Sequence, residues 1–236
     1  MEHIEQMEQV DEIYIITVDG LKILHIPVVY SLQEIYQTPQ RHDLLYQTLT
    51  RFSWQFRNET SIERAILSPD LAPEWIAALL ALGAQVVFDN QEQSQPLDIY
   101  LRRGAPRSGK IWALQVPIDN PGLLWGEAHV SLTPSAAPIV SAVAVVQYED
   151  EHIKQACIVL TGVWRESARL TESANSLVGS RLDAESIQRA AELVESEVAP
   201  RGDYLGDETY RRAMSRILTR RALESCKNLA FQRELS

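Results

Sequence analysis

Cysteine, basic residues and long apolar runs are scarce in this 236-residue chain, and each scarcity excludes a class of protein. The two cysteines, Cys157 and Cys226, lie far apart, which predicts neither a disulfide framework nor a cysteine metal site. Acidic residues outnumber basic ones by 32 to 22. The net charge of −10 argues against nucleic-acid binding, because that binding depends on cationic side chains that meet phosphates.

No apolar run approaches the roughly 18 residues that a membrane-spanning helix requires, so no membrane association is predicted. The opening residues, "MEHIEQMEQVDE", lack the basic start and apolar core of a signal peptide, and a cytoplasmic location is therefore expected. The histidines have no metal-ligand spacing, and no G-x-S-x-G elbow is present. We predict no metal site and no catalytic residue in this chain. The histidines are His3, His25, His42, His129 and His152.

The pattern of elements predicts an α+β fold. Two β-branched runs around Asp19-Gly20 predict a hairpin, and Ser31 with Glu34 forms a capping box at the start of a short helix. After Lys110, four apolar or alternating runs predict one mostly antiparallel sheet. Residues 183–198 and 207–229 then show helical periodicity. Strands followed by helices are typical of an α+β domain.

Residues 104–111, "GAPRSGKI", match the first positions of a phosphate-binding P-loop. Ile111 stands where a Ser or Thr must bind magnesium, and the following residues predict a strand where a P-loop opens a helix. We interpret the match as a chance loop.

Arg212, Arg216 and Arg220 recur at every fourth position and form a basic stripe along the last predicted helix. Such a stripe is common on a solvated face that pairs with nearby acids such as Glu208. A docking surface for an acidic partner is the alternative, and these arginines are the candidate partner-binding residues.

Three segments of the second half carry a family resemblance: "TPSAAPIVSAVAVV", "LTGVWRESARLTESANSLVGSRLDAESIQRAAELVESEV" and "GDETYRRAMSRILTRRALES". Together they resemble the C-terminal domain of the flavoprotein subunit of molybdenum hydroxylases, the family of carbon monoxide dehydrogenase and xanthine dehydrogenase. In that family, the flavin passes electrons from iron–sulfur clusters to an acceptor, and the molybdenum chemistry takes place in another subunit.

The first half resembles the second flavin-binding subdomain of the same subunit. "RNETSIERAILSPDLAPEWIAALLALGAQVVF" is similar to a family segment that contains Thr-Ile-Gly-Gly-Asn. The resemblance implies two domains. Residues 1–105 would be a flavin-binding subdomain with a mixed sheet and helices, and residues 106–236 would be an antiparallel sheet with helices. The first flavin subdomain is expected before residue 10.

The family's flavin loop is altered here, since Glu63, Arg64 and Ala65 replace its Gly-Gly-Asn. Glycine lets the backbone approach a phosphate closely, whereas Glu63 adds a side chain and a negative charge. Arg64 could pair with a phosphate. The residues that the resemblance would place at FAD are Ser61, Ile62, Arg64, Ser68 and Asp70, although Ser68 and Asp70 are also suited to cap the next helix.

Two functions follow from the resemblance. In the first, the chain has lost or weakened FAD binding and serves as a docking subunit for molybdenum-cofactor and iron–sulfur subunits, or for a second copy of itself. In the second, it remains an FAD-binding electron-transfer subunit.

Overall fold

A computed structural model describes residues 12–18, 20–89, 94–103, 109–119, 122–133, 136–149 and 151–234. Its first sheet is built from five strands in the order β1-β2-β5-β3-β4. The strands are β1 (Tyr14–Val18), β2 (Leu21–Pro27), β3 (Gln85–Phe88), β4 (Ser94–Pro96) and β5 (Ile111–Asp119). Each of the pairings is antiparallel, so this sheet is not the mixed sheet that was expected. The predicted hairpin is confirmed, since β1 pairs with β2 through a turn in which Gly20 has φ of 81°.

Six helices lie between strands of the first sheet in sequence. They are α1 (Leu32–Gln37), α2 (Asp43–Leu49), α3 (Trp54–Glu59), α4 (Ile62–Leu67), α5 (Pro73–Ala81) and α6 (Leu97–Arg103). Ser31 and Glu34 form the predicted capping box at the start of α1. Helix α5 is apolar on nearly all sides because it packs against the second sheet and shares a core with strands of the first, and Trp75 near its start is fully buried.

The second sheet is a meander of four antiparallel strands in the order β6-β7-β8-β9. They are β6 (Leu123–Val130), β7 (Val140–Glu149), β8 (His152–Thr161) and β9 (Ala168–Leu170). Alternate residues of β7 face opposite sides. Val143 and Val145 pack in the core that contains α5, whereas Ala142 and Ala144 pack against α7 (Ala184–Glu197) and α8 (Glu208–Glu234).

Helix α8 lies very close to β6 at Gly126. A Cβ atom at this position would lie 2.1 Å from the carbonyl oxygen of Ala222, so only glycine fits without a shift of backbone. The close approach allows the small residues of the strand and the helix to pack without a gap.

One strand prediction is wrong. The run that begins at Ile111 was expected in the second sheet, but as β5 it lies between β2 and β3 at the centre of the first. Its alternation fits either sheet, so the sequence pattern alone could not assign it. The chain changes from one sheet to the other between Asp119 and Leu123. A division into domains at residues 105 and 106 stays a prediction.

Within the described residues, no helix combines the length and apolar character that a bilayer crossing needs. The P-loop-like segment falls largely on residues 104–108, which lie outside the described residues, and Ile111 opens a strand.

Candidate functional site

The predicted flavin loop is joined by backbone hydrogen bonds to the connection between β2 and α1. Ser61 forms an isolated antiparallel bridge with Ser31, and the N–H group of Leu32 donates to the carbonyl of Thr60 at 2.9 Å. Ser61 is also the N-cap of α4, and its Oγ accepts a hydrogen bond from the N–H group of Arg64 at 3.2 Å. The loop is thus one side of a small, closed hydrogen-bonded unit.

The first turn of α4 has no free backbone donor. An isolated helix leaves its first four N–H groups unpaired, and such groups can bind a phosphate. Here Ile62 donates to the carbonyl of Tyr30 at 2.9 Å, and Glu63 donates to the carbonyl of Val28 at 3.0 Å. Arg64 and Ala65 donate to Ser61, through its Oγ at 3.2 Å and its carbonyl at 3.0 Å respectively. The donors of residues 62–64, which the helix itself cannot pair, are therefore paired within the chain, and Ala65 makes the ordinary first bond of the helix.

At the same turn, the side chain of Glu63 would repel a bound anion. Glu63 is exposed, and its charge is close enough to α6 that it adds to burial in raising the pKa of Tyr100. Ile62 is fully buried in the core and presents nothing to a ligand. Arg64 is exposed and carries the one positive charge of the turn. As folded, the loop does not fit a pyrophosphate held by backbone N–H groups.

Ser68 and Asp70 do not cap α5, contrary to expectation. Helix α5 begins after Ala72, which provides no side-chain cap, and Pro73 is its first residue. Ser68 ends α4 by donating its N–H group to the carbonyl of Arg64 at 3.0 Å. Asp70 lies in a short 3-10 helix, Pro69–Leu71, and its carboxylate accepts a hydrogen bond from the hydroxyl of Ser167. Asp70 therefore bonds to the segment that precedes β9.

Of the five predicted cofactor residues, Ser61, Ile62 and Arg64 come together at the start of α4. Ser68 and Asp70 lie at the other end of that helix, beside a cavity of about 450 Å³. One wall of this cavity is the continuous segment 166–172, and the other is α6 with Asp98, Leu101 and Arg102. Its volume is in the range of ordinary ligand sites.

The basic stripe is largely bound to acidic residues and carbonyls of the chain itself. Arg212 donates to the carbonyl of Glu195 at 2.9 Å, and Arg216 forms a 3.2 Å ion pair with the same residue's carboxylate. Arg220 approaches Glu224 at 3.6 Å. These pairs are partly exposed, so each contributes about 0–1 kcal/mol. The stripe remains at the surface, where Arg216 and Arg220 keep 43% and 48% of their side chains exposed.

Arg211, beside the stripe, is a structural residue that the sequence analysis missed. It is 5% exposed, and its Nη1 donates to the carbonyls of Ile139 and Gly162 at 2.8 and 2.7 Å. Its Nη2 binds both carboxylate oxygens of Asp203. These hydrogen bonds hold the pKa of Asp203 below its ordinary value. The partners are distant in sequence, so the stripe's periodicity gave no signal for this role.

A polar cluster lies where α5 meets β6. Glu127 of β6 forms a 2.6 Å ion pair with Arg51, and Glu74 of α5 is 3% exposed nearby. Burial raises the pKa of both Glu74 and Glu127, while the charge of Arg51 opposes each shift. Burial and the same arginine lower the pKa of His129. Among the described residues, no group of three or more His, Cys, Asp or Glu could hold a metal ion.

The second half of the chain matches a known domain family. Residues 133–226 match the family described as CO dehydrogenase flavoprotein C-terminal domain. The chain is 23% identical over 185 residues to the glyceraldehyde dehydrogenase medium chain of Sulfolobus acidocaldarius, covering 76% of this chain and 66% of that relative. It is 31% identical over 119 residues to the carbon monoxide dehydrogenase medium chain of Afipia carboxidovorans. This match covers 50% of this chain and 41% of that relative. The chain thus spans just under two thirds of one relative and under half of the other.

Solved structures agree in fold. A carbon monoxide dehydrogenase from Hydrogenophaga pseudoflava superposes with a TM-score of 0.78 at 20% identity, covering 91% of this chain and 78% of that one. Quinoline 2-oxidoreductase from Pseudomonas putida 86 superposes with a TM-score of 0.72 at 19% identity, and the match covers 91% of this chain and 78% of that one. The chain therefore has the α+β fold of a flavoprotein subunit. Residues 133–226 thus match the named domain family, and the chain is similar to the medium chains of glyceraldehyde and carbon monoxide dehydrogenases.

Proposed function

We propose that this chain is a docking subunit of a molybdenum hydroxylase-type complex in which the α4 loop no longer holds FAD. The observation that carries the proposal is the internal pairing of the N–H groups of residues 62–65. A pyrophosphate at this turn would have to displace two backbone hydrogen bonds to Val28 and Tyr30 and would meet the carboxylate of Glu63.

The bond from Ser167 to Asp70 supports the same proposal. The family resemblance places Asp70 at the flavin, but in this chain one oxygen of its carboxylate accepts a hydrogen bond from a hydroxyl of the second half. Asp70 thus helps to join the first half of the chain to the second, and this role does not require a cofactor.

The proposed partners are the molybdenum-cofactor and iron–sulfur subunits of the complex, which the α8 stripe would contact. The two relatives are each named as a medium chain, which supports a role beside other chains. A homo-oligomer is the alternative assembly, and a cytoplasmic location remains a prediction.

A flavin carrier that relays electrons from iron–sulfur clusters to an acceptor is the competing function. The family name, which describes a flavoprotein, favours it. In that case the α4 turn would open on flavin binding and release the N–H groups of Ile62 and Glu63.

Flavin titration decides between the two functions. We expect the purified chain to lack absorbance near 450 nm and to leave the fluorescence of added FAD unquenched. A matched variant, Glu63→Gly with Arg64→Gly and Ala65→Asn, restores the family's loop residues and shows whether the loop alone determines affinity. Stoichiometric FAD in the unaltered chain, alone or with its partner subunits, would overturn the docking-only function.

A further inference from the structure

The outer edge of β9 has unpaired backbone groups. β9 is the last strand of its sheet, and Arg169 lies opposite Leu160 of β8. The N–H group of Thr171 donates to the carbonyl of Ile158 at 2.9 Å. This bond determines which residues of β9 direct their backbone groups toward β8. Because antiparallel pairs alternate, the N–H and C=O groups of Ala168 and Leu170 point away from β8. No described residue pairs with that edge.

The 450 Å³ cavity runs along this edge. Residues 166–172 form its wall, and α6 faces them across it with Asp98, Leu101 and Arg102. Ala168 is only 9% exposed, so its outward backbone groups are not in open water. A shielded and unpaired peptide group costs free energy that a hydrogen-bonded partner would recover.

The charges around the cavity favour a cation. Its guanidinium groups are engaged, since Arg102 binds Asp98 and Arg169 lies over the ring of Trp164 at 4.7 Å. Glu166 and Glu172 are exposed and form no ion pair with the described residues. The cavity lining therefore combines a backbone edge with three carboxylates and two guanidinium groups, a formal net charge of −1.

We propose that an extended peptide segment of a partner polypeptide, carrying a Lys or Arg, adds to β9 as a further strand inside this cavity. Backbone pairing with Ala168 and Leu170 supplies the affinity, and contact of the basic side chain with Glu166 or Glu172 supplies the selectivity. This surface is distinct from the arginine stripe of α8, and the inference does not depend on whether the α4 loop binds flavin.

The binding test uses a phage-displayed library of random hexapeptides selected on the immobilised full chain. Selected peptides are then synthesised with fluorescein and titrated by anisotropy. Leu170→Pro removes the outward N–H while the ladder bonds of Arg169 and Thr171 to β8 remain, so we expect about tenfold weaker binding or more. Leu170→Ala keeps the N–H and is the matched control, with nearly unchanged affinity. Glu166→Lys with Glu172→Lys should weaken binding of the basic peptides.

Hydrogen exchange on the unaltered chain gives a second readout that does not depend on the folding of the proline variant. Bound peptide should slow exchange at the amides of Ala168 and Leu170 and leave Arg169 unchanged, because its amide is already in the ladder. Failure to select any binding peptide, equal binding by a folded Leu170→Pro chain, or protection confined to other segments would each overturn the proposal. A dimer that dissociates in Leu170→Pro would assign the edge to a second copy and overturn it as well.

Discussion

The hydroxyl of Ser167 donates a hydrogen bond to the carboxylate of Asp70, across 97 positions of sequence. The bond connects the 3-10 helix before α5 to the segment before β9, and Ser167 lines the cavity together with Pro69, the neighbour of Asp70. Like the ion pair between Arg51 and Glu127, it is a polar contact between the first half of the chain and the second.

Ser167→Ala should lower the free energy of unfolding by about 0.5–1.5 kcal/mol, because one hydrogen bond to a partly exposed carboxylate is lost. Urea unfolding of Ser167→Ala, Asp70→Ala and the double variant forms a double-mutant cycle. We expect the double variant to be less destabilised than the sum of the single variants. Strict additivity would show that the two side chains do not interact.

Arg211→Ala should be among the most damaging single changes, at about 3 kcal/mol, because it leaves the carbonyls of Ile139 and Gly162 and the carboxylate of Asp203 without their donor. Arg212→Ala is the matched control on the next residue. Its single bond to the carbonyl of Glu195 is half-exposed, so a loss below about 1 kcal/mol is expected. Equal losses in chemical denaturation would contradict the structural role of Arg211.

Gly126→Ala should destabilise the chain by about 1–3 kcal/mol, since the new methyl group can be accommodated only if α8 moves away from β6. The reverse change two residues on, Ala128→Gly, is the control, with a strand-propensity cost of about 0.5–1 kcal/mol. Thermal unfolding of the two variants tests the contact. An unchanged Tm in Gly126→Ala would mean that α8 does not lie against the strand.

Stability should fall as pH rises through the raised pKa of Glu74. Burial favours the protonated carboxyl in the folded chain, so its contribution is complete below the ordinary value of 4.5 and is lost above it. Arg51 opposes this shift and Glu127 reinforces it. Glu74→Gln should flatten the fall and raise the Tm at neutral pH. Urea unfolding from pH 4 to 8 measures the slope, and parallel profiles for the two chains would refute the assignment.

Reversal of Arg212, Arg216 and Arg220 to Glu should abolish co-purification with molybdenum and iron–sulfur subunits. The change replaces a basic surface by an acidic one, which repels an acidic partner. Arg189→Glu on α7 is the control, since Arg189 is exposed but lies outside the stripe. Unchanged recovery of the partner subunits would show that the stripe is only a solvated face.

Local signals in the sequence predicted much of the fold. The hairpin at Gly20 and the capping box at Ser31 are confirmed, because each depends on residues a few positions apart. The position of β5 depends on the strands that pair with it, β2 and β3, and the alternation of its own residues does not indicate those partners.

The site was harder to predict for the same reason. The altered residues at 63–65 were visible in the sequence, but the pairing of their N–H groups with Val28 and Tyr30 depends on a tertiary contact. The bonds of Asp70 and Arg211 join segments that no periodicity connects. Capping propensity instead suggested that Asp70 begins α5, and the tertiary bond to Ser167 overrode it.

The closed hydrogen bonding of the α4 turn also bears on how the protein is made. A loop whose donors are satisfied by its own chain can reach its final structure without waiting for a cofactor to be delivered. Under the proposed docking function, production of this chain would therefore not depend on the supply of flavin.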